Sequence, residues 1–155
     1  MKQRVSRQIV LPHELERVMK VRILVVDDHA VVRHGLKVLL SAHPEWEIVD
    51  EAADGIEAVE KADLLKPDVI LLDVSMPRMD GLEACRRIRK SAPKCEILIV
   101  TQHDSPQMMR EALSAGARGY VVKSNAARDL LEAVEAVSQH RVFTALNGRN
   151  MANSH

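Results

Sequence analysis

Five short apolar runs, separated by segments of helical periodicity, limit the fold of this chain more than any other feature of its sequence. The runs cover residues 21–26, 46–52, 68–73, 96–101 and 119–123. After the first run, one helical face carries Val32, Leu36, Leu39 and Leu40, and a late segment repeats the pattern with Leu130, Val134 and Val137. Strands that alternate with helices predict an α/β fold, a doubly wound five-stranded parallel sheet with helices on both faces.

The polarity of each run predicts its place in the sheet. The second run, "WEIVDEA", is the most polar and is expected at an edge, whereas the first and third are almost wholly apolar and are expected inside. These positions give the strand order 2-1-3-4-5. Ser105-Pro106 predicts the start of the fourth helix, and "AGARG" after Leu113 predicts its end.

Length and composition predict one soluble domain. The chain has 155 residues, of which 46% are hydrophobic and 28% charged, and its formal net charge is zero. We expect an N-terminal extension over residues 1–19, a core domain over 20–143 and a polar tail over 144–155. The neutral balance argues against direct nucleic-acid binding, and no apolar run is long enough to cross a membrane. Cys85 and Cys95 are expected to be reduced thiols, which fits a cytoplasmic protein.

Polar residues follow four of the predicted strands. Asp27 and Asp28 end the first strand, Asp73 the third, Thr101 the fourth and Lys123 the fifth. Each has an ordinary structural explanation, such as a helix cap for either residue of the first pair. Because parallel strands end at one edge of a sheet, however, these side chains are expected to meet where the strand order reverses.

This set of side chains suits phosphoryl transfer. Clustered carboxylates repel one another unless a cation is present, and acidic oxygens with water are the usual ligands of Mg²⁺. An ammonium and a hydroxyl then bind the transferring group, while one carboxylate remains free as nucleophile. Asp73 lies between the acid pair and Thr101, so it is the candidate nucleophile.

The motifs "ILVVDDH", "VILLDVSMPRMDG", "ILIVT" and "GARGYVVK" resemble, in content, order and spacing, the receiver domains of two-component response regulators. The resemblance covers residues 20 to about 143 and implies a flavodoxin-like fold. "DDHAVVRHGL" is similar to receivers of the NarL/LuxR type, which usually precede a helix-turn-helix DNA-binding domain. That domain does not lie within these 155 residues.

The resemblance implies a role for each acidic residue. Asp73 would be the phosphorylated aspartate and would also lie at the metal. Asp28 would bind Mg²⁺ directly, Asp27 would act through water, and the main-chain carbonyl of Ser75 would be a further ligand.

The resemblance also implies a switch. Lys123 would pair with the phosphoryl group, Thr101 would hydrogen-bond to it, and Tyr120 would reorient together with Thr101. The expected phosphoryl donor is a sensor histidine kinase or a phosphotransfer protein, and the expected output is a homodimer, a downstream domain or transcription. The fourth helix, fifth strand and fifth helix would form the responding surface. Such a domain is a signalling protein, not an enzyme, although it assists its own phosphorylation and dephosphorylation.

The sequence departs from the usual receiver pattern near the site. Ser124 follows the lysine where many receivers have proline, so no cis bond is inferred. Gln102 follows Thr101 where smaller residues are common, and His103 is either a residue that tunes hydrolysis or a solvent-facing loop residue.

Two other functions remain as alternatives. A haloacid-dehalogenase-like phosphatase also places its aspartate nucleophile at a strand end, but it needs a second acid at the position of Ser75. A pseudo-receiver would bind partners without phosphorylation, and the complete set of acids, hydroxyl and lysine argues against it.

Overall fold

A computed structural model of the protein describes residues 20–146 and 149–150. The predicted extension 1–19 lies outside these residues, as does most of the predicted tail. The helices are α1 (Ala30–Leu40), α2 (Gly55–Leu65), α3 (Gly81–Ser91), α4 (Pro106–Ser114) and α5 (Ala126–Ser138). The strands are β1 (Val21–Val26), β2 (Trp46–Ala52), β3 (Val69–Leu72), β4 (Glu96–Thr101), β5 (Gly119–Val122), β6 (Phe143–Leu146) and β7 (Arg149–Asn150).

The sheet confirms the predicted strand order and corrects the predicted number of strands. Its order is β2-β1-β3-β4-β5-β6-β7, and β1 to β5 are paired in parallel. A five-stranded sheet was wrong, because β6 pairs in parallel with β5 and β7 then pairs antiparallel with β6. The predicted domain boundary after residue 143 therefore falls inside a strand. Phe143, Thr144 and Ala145 are buried there, and the Phe143 N–H donates a hydrogen bond to the Arg118 carbonyl.

Helices cover both faces of the sheet, as predicted. Alternate residues of β1 face opposite layers: Leu24 and Val26 pack with α2, α3 and α4, whereas Ile23 and Val25 pack with α1 and α5. This two-sided burial explains why the central strands have almost no polar residues.

Side-chain caps fix where three helices begin. Asp54, Asp80 and Ser105 each accept a hydrogen bond from a backbone N–H three residues later, at 2.9, 2.9 and 3.1 Å. The Ser105 cap and the following Pro106 confirm the predicted start of α4. This helix ends at Ser114, before Gly116, whose φ of 113° favours glycine.

Glu96 is a buried carboxylate at the start of β4, far along the strand from the predicted site. Arg118 approaches it at 3.2 Å, Arg89 at 3.5 Å and His140 at 2.5 Å. Although burial acts to raise the pKa of Glu96, these partners lower it overall. Elsewhere, no helix of the described residues is long and apolar enough to span a membrane.

Candidate functional site

The predicted site residues meet at the carboxyl edge of the sheet. Asp27 follows β1, Asp73 follows β3, Thr101 ends β4 and Lys123 follows β5. The first three side chains are buried, while Lys123 is partly buried. Because the strands run in parallel, residues far apart in the sequence arrive at one place.

Lys123 joins two of the acids. Its Nζ lies 2.6 Å from Oδ2 of Asp27 and 3.2 Å from Oδ2 of Asp73. Although burial acts to lower the pKa of Lys123, these two carboxylates raise it overall. The ammonium therefore remains charged and holds the two acids together.

Asp73 is kept in place by contacts to both of its oxygens. Oδ1 accepts a hydrogen bond from the Val74 N–H at 2.8 Å, and Oδ2 faces Lys123. Burial raises the pKa of Asp73 above its usual value, with Asp27 adding to the effect, and Lys123 and the Val74 N–H act against it. A group of positive charge at this site therefore favours the ionised, nucleophilic carboxylate.

Asp27, Asp28 and His29 place potential metal-ligating atoms within 4.8 Å of one another. Asp27 Oδ1 accepts a hydrogen bond from the His29 N–H at 2.9 Å, and neither acid caps α1, whose N-cap residue is His29. Oδ1 of Asp28 is buried and accepts no hydrogen bond, although Nδ1 of His29 lies 3.2 Å away. A buried acceptor oxygen among carboxylates fits a hard cation such as Mg²⁺. The pattern of the sequence did not predict His29 at this group.

Two glycines bring the loop after β3 close to the site. The Gly81 N–H donates a hydrogen bond to the Val74 carbonyl at 2.7 Å, and a Cβ at residue 81 would lie 2.0 Å from the Asp73 carbonyl oxygen. A Cβ at Gly55 would lie 2.2 Å from the Met79 carbonyl oxygen. Any larger residue at either position would displace the loop that contains Ser75.

His103 connects three parts of the site rim. Its ring atom Nε2 lies 3.2 Å from Oγ of Ser75. Its main-chain N–H donates a hydrogen bond to Oγ1 of Thr101 at 3.3 Å. The hydroxyl of the buried Tyr120 donates a hydrogen bond to the His103 carbonyl. Burial, with a contribution from Asp104, raises the pKa of Tyr120 to about 12, so this hydroxyl keeps its proton. Thr101 and Tyr120 are thus linked through one residue.

Comparisons with known proteins agree with this geometry. A family model described as the response regulator receiver domain matches residues 23–135. The chain is 39% identical to the transcriptional regulatory protein DegU of Brevibacillus brevis over 77% of this chain and 51% of that protein. It is 40% identical to the response regulator protein VraR of Staphylococcus aureus over 78% of this chain and 58% of that protein.

A solved structure shows the same fold. The two-component response regulator of the LuxR family from Aurantimonas sp. SI85-9A1 is 37% identical and has a TM-score of 0.78, covering 83% of this chain and 91% of that one. The chain spans between half and three fifths of the length of the two curated relatives. The family match, the identities and the shared fold lead to one conclusion: this chain belongs to the response regulator receiver domain family.

Proposed function

We propose that this domain accepts a phosphoryl group on Asp73 from a phosphohistidine of a sensor histidine kinase or a phosphotransfer protein. The observation that supports this most strongly is the ion pair of Lys123 with both Asp27 and Asp73. This ion pair puts a positive charge beside a buried carboxylate at the carboxyl edge of the parallel sheet.

In the proposed reaction an oxygen of Asp73 attacks the phosphorus atom of phosphohistidine. A phosphorus–oxygen bond forms, the phosphorus–nitrogen bond breaks, and the leaving imidazole keeps its electron pair and takes up a proton. The product is an acyl phosphate. Lys123 moves its ammonium from the carboxylate to the new phosphoryl oxygens, and Thr101 donates a hydrogen bond to one of them. Hydrolysis by water later restores Asp73.

Asp27, Asp28, Asp73 and the carbonyl of Ser75 are the residues that we propose to hold Mg²⁺. When bound, the ion neutralises negative charge on the transferring phosphoryl group. The buried oxygen of Asp28, which lacks a hydrogen bond, supports this assignment. Asp28 would bind the ion directly, and Asp27 would act through a water molecule.

The proposed switch begins at Thr101. Its hydroxyl accepts a hydrogen bond from the His103 N–H, and the His103 carbonyl accepts one from Tyr120. When Thr101 turns toward the phosphoryl group, the segment that holds the Tyr120 ring changes its contacts. The surface formed by α4, β5 and α5 then changes shape, and a partner, a second copy or an attached domain binds to it. Because the relative DegU is named a transcriptional regulatory protein, we propose transcription as the output.

Chemical labelling tests the central step. Incubation with a small acyl phosphate and Mg²⁺ should add one phosphoryl group, measured as the intact mass. Asp73→Asn should add none, because an amide is not a nucleophile at neutral pH. Asp63→Asn is the matched control, because Asp63 is exposed and, among residues 20–146, forms an ion pair with Lys66 alone. Labelling of the Asp73 variant, or turnover of a generic phosphate ester, would contradict the proposal.

A further inference from the structure

Helix α3 and the turn after it form a strongly cationic segment. Residues 84 to 95 contain no acidic residue, and their cations are Arg86, Arg87, Arg89, Lys90 and Lys94. Arg89 is turned inward, where it donates a hydrogen bond to the Cys95 carbonyl and reaches Glu96. The other four side chains are exposed.

The acids nearby neutralise this segment only in part. Glu83 alone pairs with both Arg86, at 3.3 Å, and Arg87, at 3.0 Å, and such exposed pairs are weak. Arg110 of α4 lines the same surface hollow as Arg86, and Glu111 is the one acidic residue of that hollow. Within residues 20–146, neither Lys90 nor Arg110 has an ion pair. We refer to Arg86, Arg87, Lys90 and Arg110, which line two adjoining hollows that share Arg86, as the cationic face.

Charge on this chain is separated although its sum is zero. Residues 45–63, which form β2 and most of α2, contain eight acidic residues and one cation, Lys61. The cationic face therefore has a positive local electrostatic potential, although the net charge of the whole chain is zero. A surface of this kind attracts a partner that carries dense negative charge.

Duplex nucleic acid fits this surface better than a single strand. Trp46, Tyr120 and Phe143, the only Trp, Tyr and Phe residues of the chain, are buried, so none of these large aromatic rings is available for base stacking. Arg86 and Lys90 are one helical turn apart, about 6 Å along the axis, a length over which each DNA strand presents about two phosphates. A role in transcription, which rests on the proposed function, brings the domain to DNA.

We propose that the cationic face binds the phosphate backbone of duplex DNA without sequence preference. The contacts add to the binding of any DNA-reading domain attached to this receiver, and they lie apart from Asp73. This proposal departs from the expectation of no nucleic-acid binding that the neutral composition suggested.

Salt dependence of binding to a labelled mixed-sequence duplex, followed by fluorescence anisotropy, tests the proposal. Neutralising about four phosphates predicts a roughly 150-fold loss of affinity between about 50 and about 200 mM salt. The triple variant Arg86→Gln, Arg87→Gln, Lys90→Gln should reduce the slope of log K against log salt by about 2.7. The control variant Lys20→Gln, Arg128→Gln, Arg141→Gln removes the same charge from exposed positions elsewhere and should retain the slope.

Three results would overturn the proposal. The first is that the protein does not bind the duplex at low salt, and the second is that the control variant loses as much slope as the triple variant. A salt-sensitive self-association without DNA, abolished in the triple variant, would show that the acidic segment of a second copy occupies the face. Urea melting of each variant verifies its fold, and Asp73 labelling is a separate readout that these substitutions should leave unchanged.

Discussion

Replacement of Lys123 by methionine tests the electrostatic design of the site. The substitution removes the ammonium that lies 2.6 Å from Asp27 and 3.2 Å from Asp73. At an effective dielectric constant of about 20, these two attractions have gross values of about 6 and about 5 kcal/mol. Desolvation of the buried groups cancels most of this, and breaking a buried ion pair by removing one partner costs about 3–5 kcal/mol.

We expect a net loss at or just below the lower end of that range. Lys123 is partly exposed to solvent, with 19% of its side chain accessible, and one of the remaining carboxylates can take up a proton. The free energy of unfolding at neutral pH should therefore fall by about 2–3 kcal/mol, a decrease in Tm of roughly 6–10 °C.

The loss should depend on pH in a defined direction. Burial already raises the pKa of Asp73, and removal of Lys123, which lowers it, raises it further. A group whose folded pKa lies above its unfolded value stabilises the native state at low pH and loses that contribution as pH rises through the folded value. The free energies of unfolding of the variant and the wild type should therefore differ least near pH 4 and most at neutral pH. Mg²⁺ should reduce this difference in the free energy of unfolding, because the ion supplies the positive charge that the variant lacks.

Urea denaturation with and without Mg²⁺, at acidic and neutral pH, measures these effects. Lys37→Met is the matched control, because Lys37 pairs with Glu51 at 2.5 Å while both side chains are 34% exposed, and it should cost less than about 1 kcal/mol. The reasoning is refuted if Lys123→Met costs no more than the control, or if its cost is the same at pH 4 and pH 7.

Two further predictions concern the metal and the switch. Asp28→Ala should weaken Mg²⁺ binding, measured by calorimetry, by about tenfold or more, which corresponds to about 1.4 kcal/mol. The variant should still show a melting transition, because its loss of one carboxylate relieves the repulsion with Asp27. An unchanged Mg²⁺ titration would show that the ion binds elsewhere. Addition of a beryllofluoride phosphoryl mimic should change amide exchange in α4, β5 and α5 as well as at the site, and Asp73→Asn should abolish both changes. A response confined to the loops around Asp73, with Tyr120 and its neighbours unaffected, would contradict the proposed switch.

Sequence reasoning was strongest where the fold dictates position. Parallel strands end at one edge, so Asp27, Asp73, Thr101 and Lys123 could be assigned to one place before any contact was known, and the structure brings them together. Their roles in phosphoryl transfer stay predictions until labelling is done.

The contacts of His103 could not be predicted in the same way. They join Ser75, Thr101 and Tyr120 through loops, whose course depends on backbone turns and not on a repeating pattern of apolar residues. The strand β6 was missed because its four residues, "FTAL", run directly into the polar stretch "NGRNMANSH", which predicts a tail and not a strand.

Strand β6 also determines how a partner can recognise this side of the molecule. Gly119 pairs with Phe143 and Tyr120 with Thr144, so the outer backbone groups of the first two residues of β5 are already engaged. An extended peptide could pair with these two residues of β5 only by displacing β6. Recognition of this part of the surface formed by α4, β5 and α5 therefore depends on the side chains of the two helices, which lie on opposite faces of the sheet.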